Sequence, residues 1–435
     1  MATASIASAD ASSGSQQAFD RLERSLPGGD TRTSTFYAPH PVAMARGDGC
    51  RIFDVDGNTY LDLMNNFTAL VHGHSHKRIT AAIRDQALDG VAFSAPHLAQ
   101  AELAERIKER VASVDLVRFT NSGTEAVMVA IRAARAATGR ALIVKANGGY
   151  HGSWDQLPMA KQDNTAGIPP STQELLRWCD YNDVDSLRSV MDQEGGSVAA
   201  ILLEPVMGGG GVITGSEEFL HSARDLATRY GALLVLDEVM TARLDVRGYQ
   251  AVAGVRPDLT TFGKIIGGGL PVGAVGGLEE VMGIFDPRRD GHLYHGGTTN
   301  GNPLTMVAGC ASLDLLPRQE VERINRLGDR LVKRLEDGFS AVGLPMTLTH
   351  NGSLIQLHHG RRTITNYDDV AVEDPVVGRL HARSLSHGVS FARRGLLNVS
   401  TAMTESEIDE IAERITEAAK EVVETEALTA PDRKR

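Results

Sequence analysis

The chain has 435 residues, 42% of them hydrophobic and 23% charged. That is ordinary globular composition and excludes a disordered chain. Its net charge of −11, from 44 Lys+Arg against 55 Asp+Glu, comes without a basic stripe and excludes the usual electrostatic footprint of a nucleic-acid binder.

The elements can be read in chain order. Residues 1–15 are Ala/Ser-rich, with neither the basic nor the apolar region of a signal peptide, and are expected to be a floppy tail. QQAFDRLERSL reads as a helix stopped by Pro27-Gly28-Gly29. Residues 51–63 alternate around Asp56-Gly57, the signature of a hairpin. Asp54-x-Asp56-Gly57 departs from a calcium loop, which places its Gly later and ends in Glu. His72, His74 and His76 could suggest a metal, but alternate histidines without a second ligand group read better as structural.

From residue 78 helical patterns alternate with short apolar runs: Leu116-Val-Arg-Phe119, Ala141–Val144, Val198–Leu203 and Ala232–Leu236, with helices at 122–137 and 217–230. Uniformly apolar strands between helices predict an α/β fold with a mostly parallel central sheet flanked by helices. A helix is expected at 320–342. Another follows Thr404, with a capping box to Glu407 and Ile408, Ile411, Ile415 and Val422 on one face. No run of about 18 apolar residues occurs, so no membrane span is expected. Cys50, Cys179 and Cys310 are far apart and in no CxxC pair, which points to a reducing, cytoplasmic setting.

In an open parallel sheet, ligands bind at the carboxyl edge, so the residues just after each apolar run matter most. After Leu116–Phe119 comes Thr120-Asn-Ser-Gly-Thr-Glu125. Small residues opening a helix suit an anion such as phosphate; they also suit a plain capping box from Ser122 to Glu125. After Ala232–Leu236 come Asp237 and Glu238. A carboxylate there needs a partner, either a buried cation of the protein or a pyridinium nitrogen. Lys264 stands between apolar residues and beside three glycines, a poor context for a surface lysine. Burial would lower its pKa and leave an amine able to form a Schiff base. Gly148-Gly-Tyr-His-Gly152 follows another strand and offers the ring of Tyr150. Phosphate cradle, acid, stacking ring and lysine are the four needs of pyridoxal 5′-phosphate, and they occur here as an ordered set.

With these stretches and SLPGGDTR, DVDGNTYLDL, LLEPV and GGTTNGNP, the chain resembles the class III pyridoxal-phosphate aminotransferases of fold type I. It is most similar to the branch of glutamate-1-semialdehyde aminomutase and the β-phenylalanine aminotransferases, over about residues 20–424. The resemblance implies a large cofactor-binding domain at 76–318. It also implies a smaller α+β domain from both chain ends, 16–75 and 319–426, with a second tail at 427–435. Lys264 resembles the catalytic Schiff-base lysine, and Asp237 the partner of the pyridinium nitrogen. Ser122, Gly123 and Thr124 resemble the phosphate loop, and Tyr150 the stacking ring. Thr298 resembles the threonine that reaches the phosphate in the neighbouring subunit, which implies a homodimer with active sites at the interface. Phe67 stands where the family places an aromatic over the substrate; by itself it reads as core. The implied chemistry is ping-pong transfer of an amino group, with Lys264 moving a proton.

Arg32 and Arg394 bear on the substrate. A guanidinium in a dry pocket grips a carboxylate through two hydrogen bonds, whereas a surface arginine does not. The Arg-Gly placement of Arg394 resembles the carboxylate arginine of the β-phenylalanine aminotransferases, and Arg32 matches the N-terminal arginine of both branches. Gly209, shortly after Glu204-Pro205, stands where the aminomutases are expected to carry Asn. The segment 153–180 is also expected to be shorter than their lid. Both points favour an aminotransferase acting on a β-amino acid, with 2-oxoglutarate or pyruvate as acceptor. The alternatives are an intramolecular aminomutase or epimerase, and a silent binding protein, against which Lys264 argues. No metal site is expected.

Overall fold

The computed structural model describes residues 13–163 and 165–429. Residues 1–12 and 430–435 of the expected tails lie outside the described residues. The tail expectation is corrected at both ends. A helix already starts at Gly14, because the Asp56 carboxylate accepts the N–H groups of Gly14 and Ser15 at 2.6 and 3.0 Å and Ser13 caps the first turn. The last helix runs on to Thr429.

A seven-stranded sheet forms the centre: β1 (Leu116–Thr120), β2 (Leu142–Ala146), β3 (Leu176–Cys179), β4 (Val198–Leu203), β5 (Leu233–Asp237), β6 (Leu259–Gly263) and β7 (Gly273–Gly277). Its order is β1-β7-β6-β5-β4-β2-β3. β6, β5, β4, β2 and β3 are parallel, whereas β7 pairs antiparallel with both β6 and β1. One reversed strand thus interrupts the expected parallel sheet.

Both faces are covered, which is why β4 is wholly apolar and β2 and β5 are so apart from Lys145 and Asp237. Helix α1 (Gly123–Thr138) puts Ala126, Ala130 and Ala133 against Leu202, Val235 and Val275 on one face. Helices α2 (Val184–Glu194) and α3 (Glu217–Tyr230) cover Ile201, Leu203, Leu234 and Leu236 on the other. Each fully buried aliphatic side chain of this kind contributes roughly 1.5–3 kcal/mol.

The hairpin is present as Arg51–Asp54 paired with Thr59–Asp62. Asp54 spends its carboxylate on the turn, accepting from the Asp56 and Asn58 N–H groups, the Asn58 amide and the Tyr60 hydroxyl. A second, three-stranded sheet of Met346–Asn351, Leu354–His359 and Leu396–Asn398 packs beside helices α4 (Arg318–Val342) and α5 (Glu405–Thr429). The histidines of 72–76 serve the fold. His72 bonds Thr401 Oγ1 and the Ser312 carbonyl, and His74 meets Asp62 at 2.7 Å. The box at Thr404 is one-sided: the Glu407 carboxylate accepts both the N–H and the hydroxyl of Thr404, so that hydroxyl is used as a donor. Among the described residues no helix is long and apolar enough to cross a membrane.

Candidate active site

All strands except β7 point the same way, so the residues following β1, β2, β4, β5 and β6 meet at one edge. They line a cavity of about 370 Å³. Eight of the residues singled out from sequence face it: Arg32, Phe67, Ser122, Gly123, Thr124, Tyr150, Asp237 and Lys264. Lys264 and Asp237 thus share one crevice.

Ser122 caps α1, its Oγ accepting the Glu125 N–H at 3.1 Å. Glu125 does not close the box on Ser122. Its carboxylate reaches one residue further and accepts the N–H and side-chain amide of Asn121. The N–H groups of Gly123 and Thr124 belong to the first turn, where a helix has no internal acceptors, and they suit an anion. Gly152 closes this corner at φ +94°; a Cβ there would collide with the Thr124 hydroxyl.

Asp237 ends β5 and is 4% exposed. Its Oδ1 accepts from Thr261 Oγ1 at 3.0 Å and Val239 N–H at 3.1 Å, and its Oδ2 accepts from His151 Nδ1 at 2.8 Å. Burial lowers the pKa of His151, opposed by that carboxylate, and its other ring nitrogen is Nε2. Among the described residues that atom is buried without a partner. The neighbouring Glu238 points away, fully satisfied by Thr241, Tyr249 and Gln250.

Lys264 follows β6 with φ +51°, an unusual backbone for a non-glycine residue. Burial pulls its amine down to about 8, opposed by the charges of Glu204 and Asp237. Among the described residues it makes no ion pair. Glu204, directly after β4, accepts the N–H groups of Tyr150 and Gly208 at 2.9 and 3.1 Å. Burial and the nearby Asp237 push its carboxyl up to about 8. Glu204 and His151 were not singled out from sequence. The rule that found Asp237 also finds Glu204, since both directly follow an apolar strand, and His151 sits beside Tyr150 in GGYHG.

Arg394 does not line the cavity but stands next to it. Its Nη1 donates to the Gly209 carbonyl at 2.5 Å, and its charge acts on Lys264. Thr298 is exposed and lies apart, in a small pocket with Phe93, His97 and Gln100. Its loop is tied to the turn between β1 and α1, because Thr299 Oγ1 donates to Asn121 Oδ1 at 2.8 Å and Asn121 Nδ2 to Asn300 Oδ1 at 2.7 Å.

Residues 34–419 match the family model described as aminotransferase class-III. The chain belongs to the class III aminotransferases. It is 38% identical over 405 residues to the β-phenylalanine transaminase of Variovorax paradoxus, covering 92% of this chain and 91% of that protein. It is 37% identical over 410 residues to glutamate-1-semialdehyde 2,1-aminomutase 2 of Bacillus pumilus, covering 91% and 95%. The fold is similar to that of an omega-transaminase from Sphaerobacter thermophilus, with a TM-score of 0.92, 39% identity, and coverage of 95% and 98%. Class III aminotransferases, this one included, are fold type I enzymes dependent on pyridoxal 5′-phosphate. The cavity fits such a group. It has free N–H groups at a helix start, an anchored carboxylate, a desolvated amine, and an orphaned buried imidazole nitrogen behind the carboxylate.

Proposed function

We propose that this class III aminotransferase takes its amino group from a carboxylated donor of the β-amino acid type. The acceptor is a keto acid such as 2-oxoglutarate or pyruvate, and the two half-reactions alternate in ping-pong order. The observation that carries the reading is the pair of guanidinium groups flanking the Lys264 crevice: Arg32 in its lining and Arg394 against Gly209. A carboxylate is the natural ligand of such a planar fork. The likeness to a β-phenylalanine transaminase adds to it.

Bound pyridoxal phosphate supplies an electron sink for the carbon that loses its proton. Asp237 would hold the ring nitrogen protonated, and His151, bonded behind it, keeps that carboxylate aimed. Ser122, Gly123 and Thr124 would hold the phosphate, and Tyr150 the ring face. Lys264 Nζ, its pKa lowered to about 8, carries enough neutral amine at neutral pH to act as nucleophile and to move the proton. Phe67 would bound the donor side.

The reading includes a homodimer. Thr298 is exposed beside the half-exposed Phe93 and lines a pocket apart from its own chain's cavity, which suits a contribution to a second subunit's site. The strands from both chain ends are read as the small domain, with 76–318 as the large one. The free, buried Cys50, Cys179 and Cys310 suit a reducing cytoplasm.

A second reading, an intramolecular aminomutase, draws on the 37% identity to an enzyme of that name. The test is a panel of α-, β- and ω-amino acids, each followed by the cofactor's spectral change with and without keto acid. A transaminase stops after half a turnover without acceptor; a mutase completes its conversion. Arg394→Ala should raise KM for carboxylated donors about tenfold, the worth of one charged hydrogen bond, and leave plain amines far less affected. Equal effects on both would remove Arg394 from substrate binding.

A further inference from the structure

Just after the strand Thr59–Asp62, four consecutive non-glycine residues have left-handed backbone: Asn65 at φ 43°, Asn66 at 48°, Phe67 at 52° and Thr68 at 74°. Asn tolerates this region, but Phe and Thr do not adopt it for local reasons. The turn is held from outside. Asp62 Oδ1 accepts the N–H groups of Met64 and Asn65 at 2.8 and 3.1 Å. Asn65 Nδ2 donates to the carbonyl and Oδ1 of Asn398 at 3.0 and 3.1 Å, and Asn398 Nδ2 donates back to the Leu63 and Met64 carbonyls. Buried Arg243 steadies Asn398 through its Oδ1 at 3.1 Å. Backbone outliers that the surroundings over-determine in this way gather at functional sites.

What the turn presents is specific. Asn66 and Phe67 both line the Lys264 cavity. Both also meet the same partner: Asn66 Oδ1 accepts from Arg32 Nη1 at 2.8 Å, and the Arg32 guanidinium carbon lies 5.9 Å from the centre of the Phe67 ring. Arg32 is otherwise an exposed, long side chain with many rotamers.

We propose that Asn66 is a positioning residue that aims the Arg32 guanidinium into the cavity and thereby sets the preference for carboxylated over carboxyl-free donors. This rests on the reading of Arg32 as a carboxylate-binding arginine. Anchoring one nitrogen of the fork removes much of the rotamer entropy otherwise lost when a carboxylate binds.

The test uses the holoenzyme with β-phenylalanine and 1-phenylethylamine as probes, and reads the ratio of their kcat/KM values. Asn66→Gly removes the side chain while leaving a residue at ease with φ 48°, so the turn is retained. That variant should lower the ratio roughly two- to tenfold, the range for losing one pre-ordered side chain, through KM of the acid and not through kcat. Arg32→Ala should lower the ratio further, and the double variant should match Arg32→Ala alone. If Arg32→Ala lowers the ratio and Asn66→Gly does not, the Asn66 proposal is overturned while the Arg32 reading stands. If Asn66→Gly still lowers it in the Arg32→Ala background, Asn66 acts without Arg32 and the proposal is equally overturned. If Arg32→Ala leaves the ratio unchanged, the Arg32 reading fails and takes this proposal with it.

Discussion

The two ends of the central sheet treat charge in opposite ways. At the amino-terminal end, Asp258 accepts from Arg224 at 2.8 Å and from the Leu234 N–H at 2.6 Å, and Asp115 accepts the Glu279 N–H at 3.0 Å. Those acids find a guanidinium or a backbone donor within the fold, close to water. At the carboxyl end, Lys264 has no ion-pair partner among the described residues, and His151 keeps a nitrogen without a hydrogen bond. Burying such groups costs stability unless a ligand completes them. The same strands therefore carry a self-satisfied end and an end held ready for chemistry.

Four experiments bear on that contrast. The largest effect is expected from Lys264→Ala: turnover should fall at least about 10³-fold, while thermal melting stays level or rises because a desolvated amine is removed. A variant that kept a tenth of its activity would make the two ends alike. Asp237→Ala should follow, with a loss of about 10²-fold in kcat, the scale for removing one electrostatic partner of the reacting group. If cofactor affinity and kcat both survive, the acid is structural. A smaller effect concerns pH. Burial has lowered the Lys264 amine to about 8, so its neutral fraction grows as pH rises through that value. Cofactor uptake by the cofactor-free protein should speed up about fivefold from pH 7 to pH 8 and flatten above about pH 9. A flat profile over that range contradicts desolvation of the amine. The smallest effect is expected at the other end. Asp258→Ala should lower stability by about 1 kcal/mol in denaturant melts, with kcat unchanged, since its pair is close to the surface.

Much of this was legible in the amino-acid order. Apolar runs marked β2, β4 and β5, because strands buried on both faces are mostly apolar, and Leu116-Val-Arg-Phe119 marked β1 despite its Arg118. Reading the residue after each run led to Asp237 and to the Ser122–Thr124 helix start. β7 was not legible: GAVGG is short and glycine-rich, with no alternation, and only its pairing with β1 and β6 makes it a strand. The turn at Asn65–Thr68 was hidden for a different reason. It contains no glycine, and although Asn65 and Asn66 tolerate left-handed backbone, nothing in Phe67 and Thr68 announces it; the conformation is held by Asp62 and by Asn398, more than 300 positions away. Glu125 and Glu407 show the same limit on a smaller scale. The residue types for a capping box were present, but Asn121 drew the first carboxylate away, and the Thr404 hydroxyl turned toward the second.

Arg243 is wholly enclosed, yet among the described residues no carboxylate meets it. Its donors go to Ser353 Oγ, Asn398 Oδ1 and the Val399 carbonyl, all within or beside the three-stranded sheet, while its backbone follows β5. Burial alone draws its pKa down to about 9. Any hinge that parted the two sheets would strip neutral acceptors from a trapped cation, which is costly. The segment after β5 is thereby riveted to the three-stranded sheet along this seam.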